Sequence, residues 1–239
     1  MHKTIAHRTV SWFSFRRRAK LLPNWQCLFP LLCMTPLLLL LSACTIVPLE
    51  EIEAQLESEA FDPEAYVDGV WESAVQPAII ENAQDLATVL TAIEADLESG
   101  GDEYGSFVGG AYQFMIKGEG TVREVLTESR NGTAVVDLAG YDGPATVIVQ
   151  VGPLIRGNAV RDATGLVPFG NFKDQTEFGQ VSREMNKRIA ADVLGDLDLE
   201  NLQGKTVSFD GAFSISTTNQ TNIDLSEITI APVTFEVGE

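Results

Sequence analysis

Beyond Cys44 this 239-residue sequence contains no cysteine, and beyond His7 it contains no histidine. A segment without imidazole or free thiol cannot assemble a Ser-His-Asp or Cys-His nucleophile, a His-based acid–base pair or the usual zinc ligand sets. Carboxylate-only mechanisms, such as those of glycosidases, stay open. With Cys44 as its single thiol, the segment from 44 onward has no intramolecular disulfide, so packing alone must hold it together. Positive charge is scarce as well, with 16 Lys and Arg against 34 Asp and Glu. Long apolar runs are missing too. The stretch at 28–41 is 14 residues long and contains Pro30 and Pro36, whereas a bilayer-spanning helix needs roughly 20 apolar residues.

That short run has its own logic. It follows Lys3, Arg8, Arg16, Arg17, Arg18 and Lys20, with no acid among them, which is the order of a secretory signal. It ends in Leu41-Ser42-Ala43-Cys44, which resembles the bacterial lipobox, where the thiol is acylated and the chain is cut just before it. The expectation is a signal peptide over 1–43 and a Cys44 carrying diacylglycerol and palmitate. The mature protein would then sit in the cell envelope, facing the periplasm from the inner or outer membrane. An uncleaved membrane-associated segment is the alternative. Each buried acyl CH2 contributes about 0.8 kcal/mol, so several chains on one cysteine give a lasting anchor. Cleavage also removes six basic residues, both histidines, Cys27 and Cys33. It leaves 10 Lys and Arg against 34 acids, a formal charge of −24 in place of −18. Such a surface repels phosphate backbones, which excludes nucleic acid as a partner.

Residues 44–60 are acidic and lack aromatics, and read as a tether. Asp62-Pro63 signals a helix start. Val67, Val70, Trp71 and Ala74 continue at helical spacing up to a break at Pro77, and an apolar stripe at Ile79, Ala83, Leu86, Leu90, Ile93 and Leu97 ends at Gly100-Gly101. Residues 61–101 are therefore expected to form a helical element of two helices. Period-two patterning then predicts strands at 112–117, 121–129, 133–138 and 145–151, with a tight turn at Asn131-Gly132. A loop over 152–172 leads to a helix at 174–194. A strand at 205–213 follows, and 227–237 supplies a last strand or pair interrupted at Pro232. A three-stranded meander ending at 145–151, a helix and then two strands is the order of an OB-fold. The fold class expected is α+β: an N-terminal helical element appended to a small OB-like β-barrel over 105–239 with an inserted helix.

Residues 151–162, Phe169-Gly170-Asn171-Phe172 with Gln175 and Phe178, residues 204–213, Phe61-Asp62 and Trp71 together resemble a bacterial family of predicted periplasmic lipoproteins classed as a domain of unknown function. The likeness covers nearly all of the chain after residue 44. It implies a helical part followed by an OB-like part, and a genomic setting beside sugar ABC-transporter genes. It implies no activity and no site residues.

No cofactor, metal or catalytic motif stands out. The calcium pattern fails in Asp196-Leu197-Asp198-Leu199-Glu200, which lacks the loop length and the glycine that an EF-hand needs. Two polar groups are candidate contacts for a ligand or partner. Arg156, Asn158, Arg161 and Asp162 lie in the long loop, where guanidinium forks suit carboxylates, phosphates and sugar hydroxyls. The competing reading is that they pair with the protein's own acids. Asn171 and Gln175 sit beside Phe169, Phe172 and Phe178, as amides do near aromatic faces in sugar sites; here the competing reading is core phenylalanines and a cap at Asp174. The OB ligand face would lie on strands two and three, flanked by residues 130–132 and 214–226, of which the second stretch lacks stacking aromatics. The expected function is a non-enzymatic, lipid-anchored binding or accessory protein, touching a transporter or solute-binding protein. A carboxylate hydrolase of envelope glycans and a structural envelope protein are the alternatives.

Overall fold

The computed structural model describes residues 60–217 and 223–238; the lipobox at 41–44 and almost all of the tether lie outside them. Helix α1 (Pro63–Val70) starts where Asp62 accepts hydrogen bonds from the amides of Glu64 and Ala65 at 3.0 and 3.1 Å. A π-helical turn over Trp71–Val75 carries the chain into α2 (Gln76–Asn82), so Pro77 falls in the first turn of a helix, where its missing N–H is harmless.

The apolar stripe expected to run on from Ile79 is cut at Ala83, whose backbone is extended. Strand β1 (Gln84–Asp85) follows, and Asp85 caps α3 (Leu86–Ala95) by accepting the Thr88 amide at 2.8 Å. Heptad spacing does not register such a break, because the residues on either side can still face one core. Gly100-Gly101 does not end a helix either. Both lie inside α4 (Leu97–Tyr104), capped by Asp96. A Cβ at Gly100 would come within 2.9 Å of the Ala92 and Ile93 backbone, and one at Gly101 within 2.5 Å of the Tyr112 ring. The pair is small because α4 packs that closely.

Strand β2 (Gly105–Val108) turns through Gly109 and Gly110, both at positive φ, into β3 (Ala111–Leu126). The sequence divides this 16-residue strand in two. It is continuous because its first part pairs with β2 and its second with β4 (Thr133–Leu138), while β6 (Thr206–Ser216) runs along the other edge from Ala111 to Thr121. A register shift between Val122 and Glu124 accommodates the change. The connection from β3 to β4 is a six-residue loop, 127–132, rather than a two-residue turn. Strand β5 (Thr146–Gln150) pairs antiparallel with β4 and parallel with β7 (Glu227–Val237). Strand β7 pairs with β6, and Pro232 sits within it opposite Gly211, beside a register shift, so the strand is not interrupted. The pairings thus run in a ring, β3-β4-β5-β7-β6 and back to β3, which is the OB arrangement. Between β5 and β6 come α5 (Ala159–Ala163) and α6 (Gln175–Arg188), the latter continued by a π-helical turn over Ile189–Val193.

Two cores result. Inside the ring, Phe114 stacks on Phe213 with centroids 4.7 Å apart, among Ile116, Val122, Val149 and Ile230. Leu86, Val89, Leu90 and Ile93 of α3 belong to this same core. The second core lies on the other face of β6 and β7, where Ala212, Ala231 and Val233 meet Val67, Trp71 and Ile79, together with Val181, Met185 and Ile189 of α6. The N-terminal helices are therefore integral to both cores, not an appendage. Fully burying such side chains contributes about 1.5–3 kcal/mol each.

Candidate functional site

The long loop proves to be a built structure. Arg161 is 5% exposed. Its Nε and Nη2 donate to the two carboxylate oxygens of Asp162 at 2.6 and 3.0 Å, and Nη1 donates to the Phe178 carbonyl at 2.9 Å. Its guanidinium carbon lies 3.3 Å from the centroid of the Phe178 ring. All three nitrogens of the group are bonded within the protein. The Gln150 carboxamide donates to the Arg156 carbonyl at 3.0 Å and accepts the Arg156 amide at 2.8 Å, while Asn186 donates to the Gly157 carbonyl at 3.0 Å. The loop is pinned along its backbone, and the side chains of Arg156 and Asn158 are left exposed.

Asn171 and Gln175 are exposed as well. Their aromatic neighbours form a cluster of their own. Phe172 meets Phe61, Tyr66 and Phe178 at 5.5, 5.1 and 5.5 Å, and Phe169 meets Phe178 at 5.4 Å. Asp174 caps α6, accepting the Thr176 and Glu177 amides at 2.8 and 3.0 Å. These bonds, the one from Glu177 above all, hold its carboxyl below the ordinary carboxylate range. Of the six polar candidates, Arg161 and Asp162 serve the loop's own structure. Arg156, Asn158, Asn171 and Gln175 remain at the surface, where Leu154, Leu166 and Phe169 of the same segment are 39–49% exposed.

The OB ligand face, the outer side of β4 and β5, carries no aromatic residue. At its edge Tyr141 receives the Ala145 amide at 2.9 Å and hydrogen-bonds Glu94. Burial, first, and then Glu94 push its phenol up to about 12. Of the flanking stretch 214–226, residues 218–222 lie outside the described residues.

Sequence reading missed two concavities. A groove of about 530 Å³ crosses the outer face of β3, β6 and β7, lined by Lys117, Glu119, Ser208, Asp210, Thr234 and Glu236 among others. Register places Glu119 and Glu236 on either side of Ser208. With strands about 4.8 Å apart, the two Cα atoms are roughly 10 Å from each other. Asp210 is tied to Thr234, whose hydroxyl donates to its carboxylate at 2.7 Å. A smaller cavity of about 330 Å³ opens where β2 meets the end of α2, with Gln113 in its wall. Strand alternation sets Gln113, Met115, Lys117 and Glu119 on one face of β3, a pattern legible in the sequence. That helices would close over the first two was not.

Among the described residues no group of three or more Asp, Glu, Cys or His is placed to hold a metal ion, and no helix is long and apolar enough to cross a membrane. No curated protein matches this chain. An OB-fold protein from Thermotoga maritima, known from its crystal structure, superposes with a TM-score of 0.60 at 20% identity, covering 75% of this chain and 100% of its own. That likeness establishes the fold. A family model described as a predicted periplasmic lipoprotein matches residues 34–236, so the match runs through the lipobox, both cores and the pinned loop. This chain belongs to that family of cell-envelope lipoproteins, DUF2291.

Proposed function

We propose that this chain is a lipid-anchored, non-enzymatic binding or accessory protein that works by contact with another envelope component, a solute transporter or its binding protein. The observation that carries the reading is the surface of the segment 152–175. Its backbone is fixed by Gln150, Asn186 and Arg161, and on that rigid base it exposes Leu154, Leu166 and Phe169 alongside Arg156, Asn158, Asn171 and Gln175. Aromatic and aliphatic anchors mixed with arginine and amides, held in one conformation, are the composition of protein contact surfaces. The absence of His and free Cys after Cys44 supports the non-enzymatic part, and the resemblance to lipoproteins beside sugar ABC-transporter genes supports the choice of partner.

The test is a photo-crosslinking residue at Phe169 or Leu166 in living cells. The expected product joins this protein to a transport component, and with the crosslinker at Leu166 the double variant Phe169→Asp with Leu154→Asp abolishes it. Products without any transport component, together with unchanged sugar uptake after deletion of the gene, would sink the reading.

One observation favours a second reading, a carboxylate hydrolase of envelope glycans. Glu119 and Glu236 flank Ser208 from its two neighbouring strands in the open groove, and glycoside hydrolysis uses a pair of carboxylates on either side of the scissile bond. Release of reducing ends from envelope glycans, lost in Glu119→Gln and Glu236→Gln alike, would establish it; no release by the wild type would exclude it.

A further inference from the structure

Gln113 is buried, 5% exposed, on β3 between Tyr112 and Phe114. Those two rings belong to the core inside the ring of strands, so alternation sends Gln113 to the opposite face. There it lines the 330 Å³ cavity bordered by Asn82, Gln84, Glu103, Ser106 and Ala163. Its Oε1 has no hydrogen-bond partner. A buried carboxamide oxygen without a donor is costly, and native proteins keep one where something else supplies the donor.

The cavity wall shows what that something is. Asn82 donates its amide nitrogen to the Ala78 carbonyl at 2.7 Å, and Gln84 donates its own to the Asn82 carbonyl at 3.1 Å. With those nitrogens engaged on the backbone, the two amides have oxygens left to offer. Glu103 adds a carboxylate and Ser106 a hydroxyl. Neither Lys nor Arg lines the cavity, in a chain of net charge −18, so an anion would find no counter-charge. The volume falls at the small end of ligand pockets, which run from about 300 to 1,000 Å³.

We propose that this cavity binds a small ligand rich in hydrogen-bond donors and free of negative charge, its donors being the hydroxyls of a polyol or the ammonium groups of a diamine, with Gln113 Oε1 as the buried acceptor. The proposal deepens the binding-protein reading without depending on its partner. A failed crosslink at Phe169 leaves this site standing, and failure here leaves the contact surface standing.

The experiment titrates the full, lipidated chain, purified in detergent with ¹⁵N-labelled glutamine, with myo-inositol and separately with putrescine. The side-chain amide resonance of Gln113, assigned by its loss in Gln113→Leu, is the readout. One of the two probes is expected to shift it saturably at millimolar concentration. Ser106→Trp, which blocks the exposed mouth at β2, weakens that binding at least tenfold. Gln113→Glu, followed at the side-chain amide of Gln84 in the same cavity wall, favours putrescine if the donors are ammonium groups and weakens inositol if they are hydroxyls. Gln113→Leu removes an unpaired buried polar group, so its unfolding temperature stays equal to or above that of the wild type. No shift with either probe overturns the proposal, as does a shift that survives Ser106→Trp. A marked loss of stability in Gln113→Leu overturns it too, since Gln113 would then be satisfied within the protein.

Discussion

Arg161 and Tyr141 show how single side chains set the behaviour of whole segments. Arg161 combines a two-point ion pair with Asp162, a bond to the Phe178 carbonyl and a place over the Phe178 ring, all at 5% exposure. Removing one partner of a buried charge pair costs about 3–5 kcal/mol. Arg161→Ala is therefore expected to lower the urea-unfolding free energy by about that much. Arg161→Lys should recover only part of it, because an ammonium cannot form the fork or lie flat on the ring. Tyr141 makes a prediction in pH. Its phenol titrates at about 12 in the folded chain against an ordinary 10.0. Folding favours the protonated form, so the contribution is complete below about pH 10 and disappears as pH rises from 10 to 12. Urea midpoints measured across that range should fall less steeply for Tyr141→Phe than for the wild type.

At the scale of the element, helix starts and strand crossings carry the specificity. Asp174 holds the first turn of α6 and has a lowered pKa for that reason. Its contribution is present above the unfolded value of 3.8 and is lost as pH falls through the folded one. Asp174→Ala should lower the thermal midpoint at neutral pH and make no difference in strong acid, which calorimetry at the two conditions would show. Gly120 is where β3 begins to pair with β4, opposite Leu138, while still paired with β6. A Cβ there would lie 2.4 Å from the Asp137 carbonyl oxygen and 2.7 Å from the Val136 side chain. Both contacts are in a paired strand that cannot step aside, so Gly120→Ala is expected to destabilise the chain by about 1–3 kcal/mol, as overpacking does. A control at Gly165, where the same added atom meets nothing but φ is positive, separates backbone strain from the clash.

For the whole molecule, address and chemistry would both follow from one expected cut. Cleavage before Cys44 would remove both histidines, two cysteines and six positive charges together. The product would be an acidic domain held by two apolar cores. Cys44→Ser is expected to leave the fold intact and release the chain from the membrane fraction, as anchoring through a lipid on Cys44 requires. Fractionation of cells by centrifugation reads this out directly, and a Cys44→Ser protein still pelleting with membranes would contradict it.

The linear pattern was sufficient for whatever depends on nearest neighbours. Alternation placed β4 to β7 and the two parts of β3, Asp62-Pro63 and Asp174 marked helix starts, and the order of three strands, a helix and two strands pointed to the OB ring. The candidate residues 156–162 were legible as a polar turn, but not their division into the buried Arg161 with its half-buried partner Asp162 and the exposed Arg156 and Asn158. That division needed Phe178 of α6 to arrive beneath the guanidinium. The unbroken apolar stripe from Ile79 to Leu97 misled for the same reason: helical spacing shows which residues are buried, not whether one core or two receive them. Ile79 enters the outer core, whereas Leu86 to Ile93 enter the inner one, and the chain breaks at Ala83 to serve both. Gln113 completes the contrast. In sequence it is one more polar residue on a strand's outward face. Only the closure of α2, α5 and β2 around it makes it a buried acceptor, because burial is a property of what folds back over a residue and not of the residue itself.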